Sequence, residues 1–256
     1  MSNWNAAHYL KFGDERTRAA ADLVARIQLN APATIADLGC GPGNSTRLLR
    51  ERWPNADIVG VDSSDDMLGT ARDRYPDQKW ITTDIARWQP ADRLDLVYSN
   101  AALQWVPNHH SLVRRLLDLV APNGALAFQI PSSTFATIRT LIYDISRQAP
   151  WNDRMAAARE MLTMQCPTFY YDALANDASR LDIWETEYIH IMDSPNAIVQ
   201  WISSTGLRPF LSTLNNENER DRFISQLNEA ARDAYPLQRD GKVLFPFRRT
   251  FVIAYR

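Results

Sequence analysis

The sequence predicts a doubly wound α/β fold: a mostly parallel, seven-stranded sheet with helices on both faces and a helical cap. Three observations point there. Short apolar runs alternate with helix-length amphipathic segments from residue 30 to residue 131. Three glycines crowd into ADLGCGPGN, directly after the first apolar run, although the whole chain has only 9 glycines. Two late alternating stretches, WETEYIHIM and KVLFPFRRTFVIAYR, read as strands that extend the sheet in antiparallel fashion.

The elements follow in order. Residues 15–29 place Ala19, Leu23, Val24 and Ile27 on one helical stripe, which Asn30 and Pro32 end. TIADL (34–38) is a short buried strand. NSTRLLRERW (44–53) is a helix closed by Pro54-Asn55. ADIVGVD (56–62) is a second strand that ends on an acid. SSDDMLGTARDRY (63–75) is a helix with Ser63 or Ser64 as N-cap and acids in its first turn. KWITTD (79–84), LDLVYSN (94–100) and ALAFQI (125–130) are strands three to five. The helix HSLVRRLLDLV (110–120) stops at Ala-Pro-Asn-Gly. The chain is expected to be mostly helical from 135 to 182. Strands follow at 184–192 and 242–256, with helices near 195–204 and 217–234 between them. The organisation expected is one domain over 1–256, with a cofactor-binding core at 30–131 and a cap from about 132–182 and 193–240.

Composition narrows the function. Hydrophobic residues make up 45% and charged residues 23%, ordinary for a globular protein. A net charge of −2 argues against nucleic acid as a partner. No apolar run is long enough for a membrane span, and MSNWNAAHYLKFGDE has no signal-peptide core. Two cysteines, Cys40 and Cys166, are read as reduced thiols of a cytoplasmic protein, and a monomer is expected. His8 and His190 have no metal-type partners at ligand spacing, so no metal is expected.

The glycine cluster sits where a doubly wound sheet binds ligands, beyond the carboxyl end of a strand. Gly39-Cys40-Gly41-Pro42-Gly43 is G-x-G-x-G. It is neither the dinucleotide fingerprint, since Asn44 comes next, nor a phosphate loop, since no lysine follows. Asp37 ahead of it would be a poor neighbour for a pyrophosphate and a good one for an amino group. Asp62 ends the second strand, where a carboxylate accepts both ribose hydroxyls. Each residue also has a plainer reading: Asp62 as a helix cap, Asp84 as a strand end, Asn100 as a turn residue, Cys40 as a small filler.

Asp37 to Gly43, Asp62, Asp84-Ile85 and DLVYSNAALQWV (95–106) together resemble the sequential motifs of class I S-adenosylmethionine-dependent methyltransferases. The resemblance covers roughly residues 34–130 and implies a Rossmann-like fold with S-adenosyl-L-methionine as cofactor. It implies that the backbone of Gly39, Cys40, Gly41 and Gly43 passes the methionine moiety near Asp37. Asp62 and Ser63 would hold the ribose, Asp84 and Ile85 would meet the adenine, and Asn100 would face the methyl donor. Further likeness at WNAAHYLKFGDERTRAAADLVARI, WISSTGLRPFLSTLNNENERDRF and the C-terminal strand implies a small polycarboxylate as methyl acceptor.

A carboxylate is already ionised at neutral pH and needs no general base. It needs orientation, which the planar fork of arginine supplies. Arg16, Arg18, Arg139, Arg208, Arg248 and Arg249 are the candidates. Arg208 stands out because it sits between Leu207 and Pro209 in an apolar cap stretch. Tyr9, with Trp4, precedes the first helix and is a candidate to close over the site. His109 would donate a hydrogen bond, while His109 with His110 also reads as a polar helix start. Other acceptors stay open: another small acid, or a hydroxyl or carbon of an apolar molecule. So does a non-catalytic cofactor-binding module.

Overall fold

The computed structural model describes residues 13–133 and 136–256, without the side chains of 13–16. Trp4, His8 and Tyr9 lie outside the described residues. One seven-stranded sheet runs in the order β3-β2-β1-β4-β5-β7-β6. Its strands are β1 (Thr34–Leu38), β2 (Asp57–Asp62), β3 (Lys79–Thr82), β4 (Leu94–Asn100), β5 (Val120–Pro131), β6 (Arg180–Met192) and β7 (Val243–Tyr255). The first five are parallel. β7 runs antiparallel between β5 and β6. The strand order reverses between β1 and β4, so a crevice opens beyond their carboxyl ends.

The central strands are buried on both faces, which is why they read as unbroken apolar runs. On one face, helix α1 (Gly13–Arg26) buries the expected stripe of Ala19, Leu23, Val24 and Ile27 with Leu49 of α2 (Asn44–Arg52) and Ile35, Ile58 and Leu96. The face begins with a tyrosine–acid tie, Tyr188 Oη donating to Asp22 Oδ2 at 2.6 Å. On the other face α4 (His109–Asp118) packs Leu112, Val113, Leu116 and Leu117 against Leu126 and Phe128. Helix α3 (Asp65–Arg74) starts at Ser64, whose Oγ accepts from the Met67 N–H at 3.3 Å, so Ser64 rather than Ser63 is the cap.

Between β5 and β6 lie α5 (Thr137–Ser146), α6 (Ala156–Glu160) and α7 (Pro167–Leu174). Between β6 and β7 lie α8 (Pro195–Ser203), α9 (Arg208–Leu211) and α10 (Glu217–Ala234). Ile138 and Ile142 of α5, Ile198 and Ile202 of α8, and Phe223 and Leu227 of α10 form a separate apolar cluster with Val243 and Phe245 of β7. Three details depart from the sequence expectation. Strand β5 begins at Val120, five residues early, strand β6 begins at Arg180, four residues early, and α7 packs on the sheet rather than with the other inserted helices. Tyr170, Ala173 and Leu174 share one side of α7 and are all buried against the sheet cluster of α4.

A buried hydrogen bond fixes α7 to α4. His109 Nε2 lies 2.9 Å from the Leu103 carbonyl, which can only accept, so Nε2 carries the proton. Nδ1 therefore accepts from Tyr170 Oη at 2.6 Å. Burial holds the imidazole below its ordinary pKa, in keeping with a neutral ring. Tyr170→Phe leaves that nitrogen buried and unpaired. We expect a loss of about 1–3 kcal/mol in urea unfolding with an unchanged denaturant slope. An unchanged midpoint would show the bond to be energetically idle.

Candidate active site

The turn after β1 is built around absent side chains. At Gly39 (φ +73°) an added Cβ would lie 2.1 Å from the Cβ of Ala102, in the turn after β4. Nothing but glycine fits there. Gly41 (φ +55°) differs: an added Cβ would meet nothing within 4 Å, because that position opens into a cleft. Gly43 caps α2 and faces Trp80 and Tyr75, away from the cleft lining.

The cleft has a volume of about 440 Å³ and is lined by Gly39 to Pro42, Asp62, Ser63, Asp84, Ile85 and Asn100, among others. Asp62 organises it. One carboxylate oxygen accepts from the Gly41 N–H and the other from the Ser64 N–H, both at 2.9 Å. Burial raises its pKa against the pull of these backbone donors. A carboxylate offers about four acceptor positions, so capacity remains on both oxygens. The cap role and the ligand-facing role expected of Asp62 are thus compatible. Asp84 Oδ1 accepts from the Ala86 N–H at 2.8 Å, and Arg115 donates to the carbonyls of Ile85 (2.6 Å) and Trp88 (3.0 Å), which fixes that loop.

Asp37 is fully buried beneath α2 and does not line the cleft. Its Oδ2 accepts from Ser45 Oγ at 2.7 Å and Thr46 Oγ1 at 2.6 Å, while Oδ1 has no hydrogen-bond partner among the described residues. Burial pushes its pKa up to about 6, the two hydroxyls oppose this, and the charge of Asp62 adds to it. Cys40 lines the cleft, but burial, then Asp37 and Asp62, push its thiol well up, which suits a filler and not a nucleophile.

A second cavity of about 380 Å³ adjoins the first, and Asn100, Ala101 and Trp105 line both. Its walls are aromatic, with Tyr143, Trp201, Phe210, Tyr235 and Phe247, and its cations are Arg139, Arg248 and Arg249. Arg249 is buried on β7, its guanidinium over the Phe247 ring at 4.4 Å. Arg139 Nη2 donates to Tyr143 Oη at 3.0 Å. Arg248 pairs with Glu187 at 3.3 Å.

Besides Asp37 and Gly43, the sequence candidates Arg208, His109, His110 and Arg18 line neither cavity. Arg208 is on the four-residue α9, where burial lowers its pKa, while its neighbours Thr205, Gly206 and Phe210 provide the cavity wall. His109 has both nitrogens committed to the fold. Arg18 stacks on Tyr188, 5.3 Å from the ring centre. His110 is exposed beside Phe169. His190 is buried among Trp201, Phe245 and Phe247, and burial, then Arg249 and Arg18, hold it down at about 4. Gln104 and Trp105 fall within the DLVYSNAALQWV stretch without being singled out there, and the sequence offered no signal for Gln129, whose place depends on strand pairing. Among the described residues no side-chain group is arranged to hold a metal, and no helix is long and apolar enough to cross a membrane.

The Asp37 carboxyl has a raised folded-state pKa, so its protonated form favours the fold. That contribution is full below the unfolded value near 4 and is lost as the pH rises through about 6. Two pH units correspond to on the order of 3 kcal/mol. Asp37→Asn keeps an acceptor for Ser45 and Thr46 without the charge. The stability of wild type relative to this variant should therefore fall by that order between pH 4 and pH 6.5. Denaturant unfolding across the range, without ligand, measures it, and a constant difference would refute the buried charge.

Comparison with known proteins agrees with this geometry. The sequence profile of the methyltransferase domain matches residues 12–212. The trans-aconitate 2-methyltransferase of Azoarcus sp. (strain BH72) is 45% identical over 256 residues, the whole of both chains. That of Shigella dysenteriae serotype 1 is 42% identical, over all of this chain and 99% of its own. Among solved structures, the YcgJ protein of Bacillus subtilis superposes with a TM-score of 0.60 at 12% identity, over 93% of this chain and 98% of the other. The Haemonchus contortus phosphoethanolamine N-methyltransferase 2 complex with S-adenosyl-L-methionine does so with 0.58 at 14% identity, over 93% of this chain and 52% of that one. These two show the fold alone. The open position at Gly41 and the spare acceptor capacity of Asp62 fit S-adenosylmethionine as the cofactor. With full-length identity above 40%, the chain belongs to the trans-aconitate 2-methyltransferase family of class I S-adenosylmethionine-dependent methyltransferases.

Proposed function

We propose that this methyltransferase esterifies one carboxylate of trans-aconitate or a closely related small polycarboxylic acid. The observation that carries the reading is a buried arginine, Arg249, in a cavity that joins the cofactor cleft at Asn100 and Ala101. The relatives named above support the choice of acid.

In this reading Asp62 accepts from the ribose hydroxyls, and Asp84 and Ile85 bound the adenine. The Gly39 to Pro42 backbone runs beside the methionine moiety. Arg249 and Arg139 bind the acceptor's carboxylates, and Arg248 at Glu187 is the third cation within reach. S-adenosylmethionine supplies a sulfonium methyl group, and the S–C electron pair stays on sulfur as the new O–C bond forms. No proton changes hands, so the chain needs no base. No histidine lines either cavity among the described residues. The aromatic walls keep water from the arginines, which strengthens each ion pair with the acceptor. Helices α5, α8 and α9, whose residues line it, act as the cap over this cavity.

Two outcomes check the reading. Gly41→Val places a side chain in the cleft and strains a left-handed backbone position. It should abolish cofactor binding in calorimetry while the far-ultraviolet spectrum stays native, whereas wild-type affinity would remove the glycine loop from the site. For the acceptor, the single-turnover rate with trans-aconitate should stay flat from about pH 6.5 to 8.5, far above carboxylate pKa values. Arg249→Lys should raise the acceptor KM about tenfold or more with cofactor affinity unchanged, because it loses the bidentate fork. A unit slope below neutrality would mean that a proton leaves the acceptor, which points to a hydroxyl.

A further inference from the structure

Gln129 is almost fully buried in β5, register partner of Asn100 in β4. Its Nε2 donates to Asn100 Oδ1 at 2.5 Å, and its own Oε1 has no hydrogen-bond partner among the described residues. Leaving a buried acceptor unpaired ordinarily costs free energy, so packing alone would favour an apolar side chain here. Asn100 lines both cavities, and its Nδ2 makes no hydrogen bond to a described residue. Of the three residues that line both, Ala101 has no polar side chain and Trp105 can only donate from its indole. Ala101 holds a left-handed backbone (φ +55°), fixed by its N–H to the Gln129 carbonyl (2.9 Å) and by Gln104 Nε2 to its own carbonyl (2.6 Å).

We propose that Gln129 is a positioning residue for methyl transfer: it turns the Asn100 carboxamide so that the NH2 group, not the oxygen, meets the acceptor carboxylate. The inference rests on the carboxylate-acceptor reading above. An amide presents a donor or an acceptor according to a single flip. Only the donor face attracts an anion. With Oδ1 held by Gln129, Nδ2 is the end left for the junction. There it binds the carboxylate oxygen that is not methylated and aligns the other with the methyl group. The backbone contact of Gln129 to Ala101 survives any substitution, so a side-chain change tests the amide alone.

The experiment compares wild type, Gln129→Met, Gln129→Glu, Asn100→Ala and the double variant Asn100→Ala with Gln129→Met. The readouts are single-turnover rate with trans-aconitate, cofactor Kd and melting temperature. Gln129→Met should lower the rate about 10- to 100-fold with cofactor Kd unchanged. Gln129→Glu should be slower still, because a carboxylate only accepts and would draw the Asn100 NH2 toward itself. In the double variant Gln129→Met should add nothing to Asn100→Ala, which keeps the test decisive if the glutamate variant fails to fold. Additive losses, or a loss of rate that tracks melting temperature and cofactor Kd, would make Gln129 structural and overturn the inference. So would rates within about twofold of wild type. A wild-type enzyme inactive on every small polycarboxylate would overturn the acceptor reading and this inference with it. Normal wild-type turnover with an unaffected Gln129→Met overturns this inference alone.

Discussion

The turn after β1 and the turn after β4 approach so closely that Ala102 occupies the space a side chain at residue 39 would need. Much else depends on that contact. It brings Asn100 and Ala101 against the glycine loop, so the same short stretch closes the cofactor cleft on one side and the second cavity on the other. Asp62 then locks the arrangement by accepting from Gly41 and Ser64, which ties the first βα turn to the second. Neither bond tolerates much displacement, because each is a charge-assisted contact of 2.9 Å. Ala101 in a left-handed conformation stores about 1–2 kcal/mol of strain at the junction, held by neighbours on both sides.

Binding a polyanion in an apolar cavity sets two demands against each other. Arginines must be kept from water to bind strongly, yet isolated buried cations destabilise a fold. The aromatic rings reconcile them. Arg249 lies over the Phe247 ring, and Arg139 lies over the Tyr143 ring and donates to its hydroxyl, so each guanidinium is supported by an aromatic neighbour. Burial, then the charges of Arg249 and Arg18, hold His190 behind this wall in its neutral form, so it adds no further charge. Arg248 meets the demand differently, through Glu187 at a more exposed position.

The lining of the cleft was legible in the sequence because its determinants are local. Gly41, Asp62, Ser63, Asp84 and Asn100 each sit at the end of a strand, and parallel strands bring their carboxyl ends together whatever their separation in the chain. Strand and helix positions followed from periodicity for the same reason. The acceptor half was not legible in that way. Arg208 drew attention through its neighbours Leu207 and Pro209, a feature of sequence context, but it is Thr205, Gly206 and Phe210, not Arg208, that line the cavity. Arg249 looked like one of two adjacent basic residues in a terminal strand. Nothing local distinguishes it from Arg248; only pairing does. His109 similarly needed Tyr170, sixty-one positions away, to reveal a structural role.

Strand pairing in turn explains why the last element serves the site. β7 is wedged between β5 and β6, with Arg249 opposite Pro131 on one side and Thr186 on the other. Side chains alternate along a strand, so Phe245, Phe247, Arg249 and Phe251 share one face. Phe245 and Phe251 are buried at opposite ends of that row, one in the cap cluster and one in the sheet core. A slip of one residue would move Phe245 to the exposed side that Leu244 and Pro246 now occupy and put Arg248 where Arg249 now stands. The apolar residues that close the sheet therefore also set which arginine faces the acceptor. A charged group that the fold alone would disfavour is held in register by the three phenylalanines that share its face.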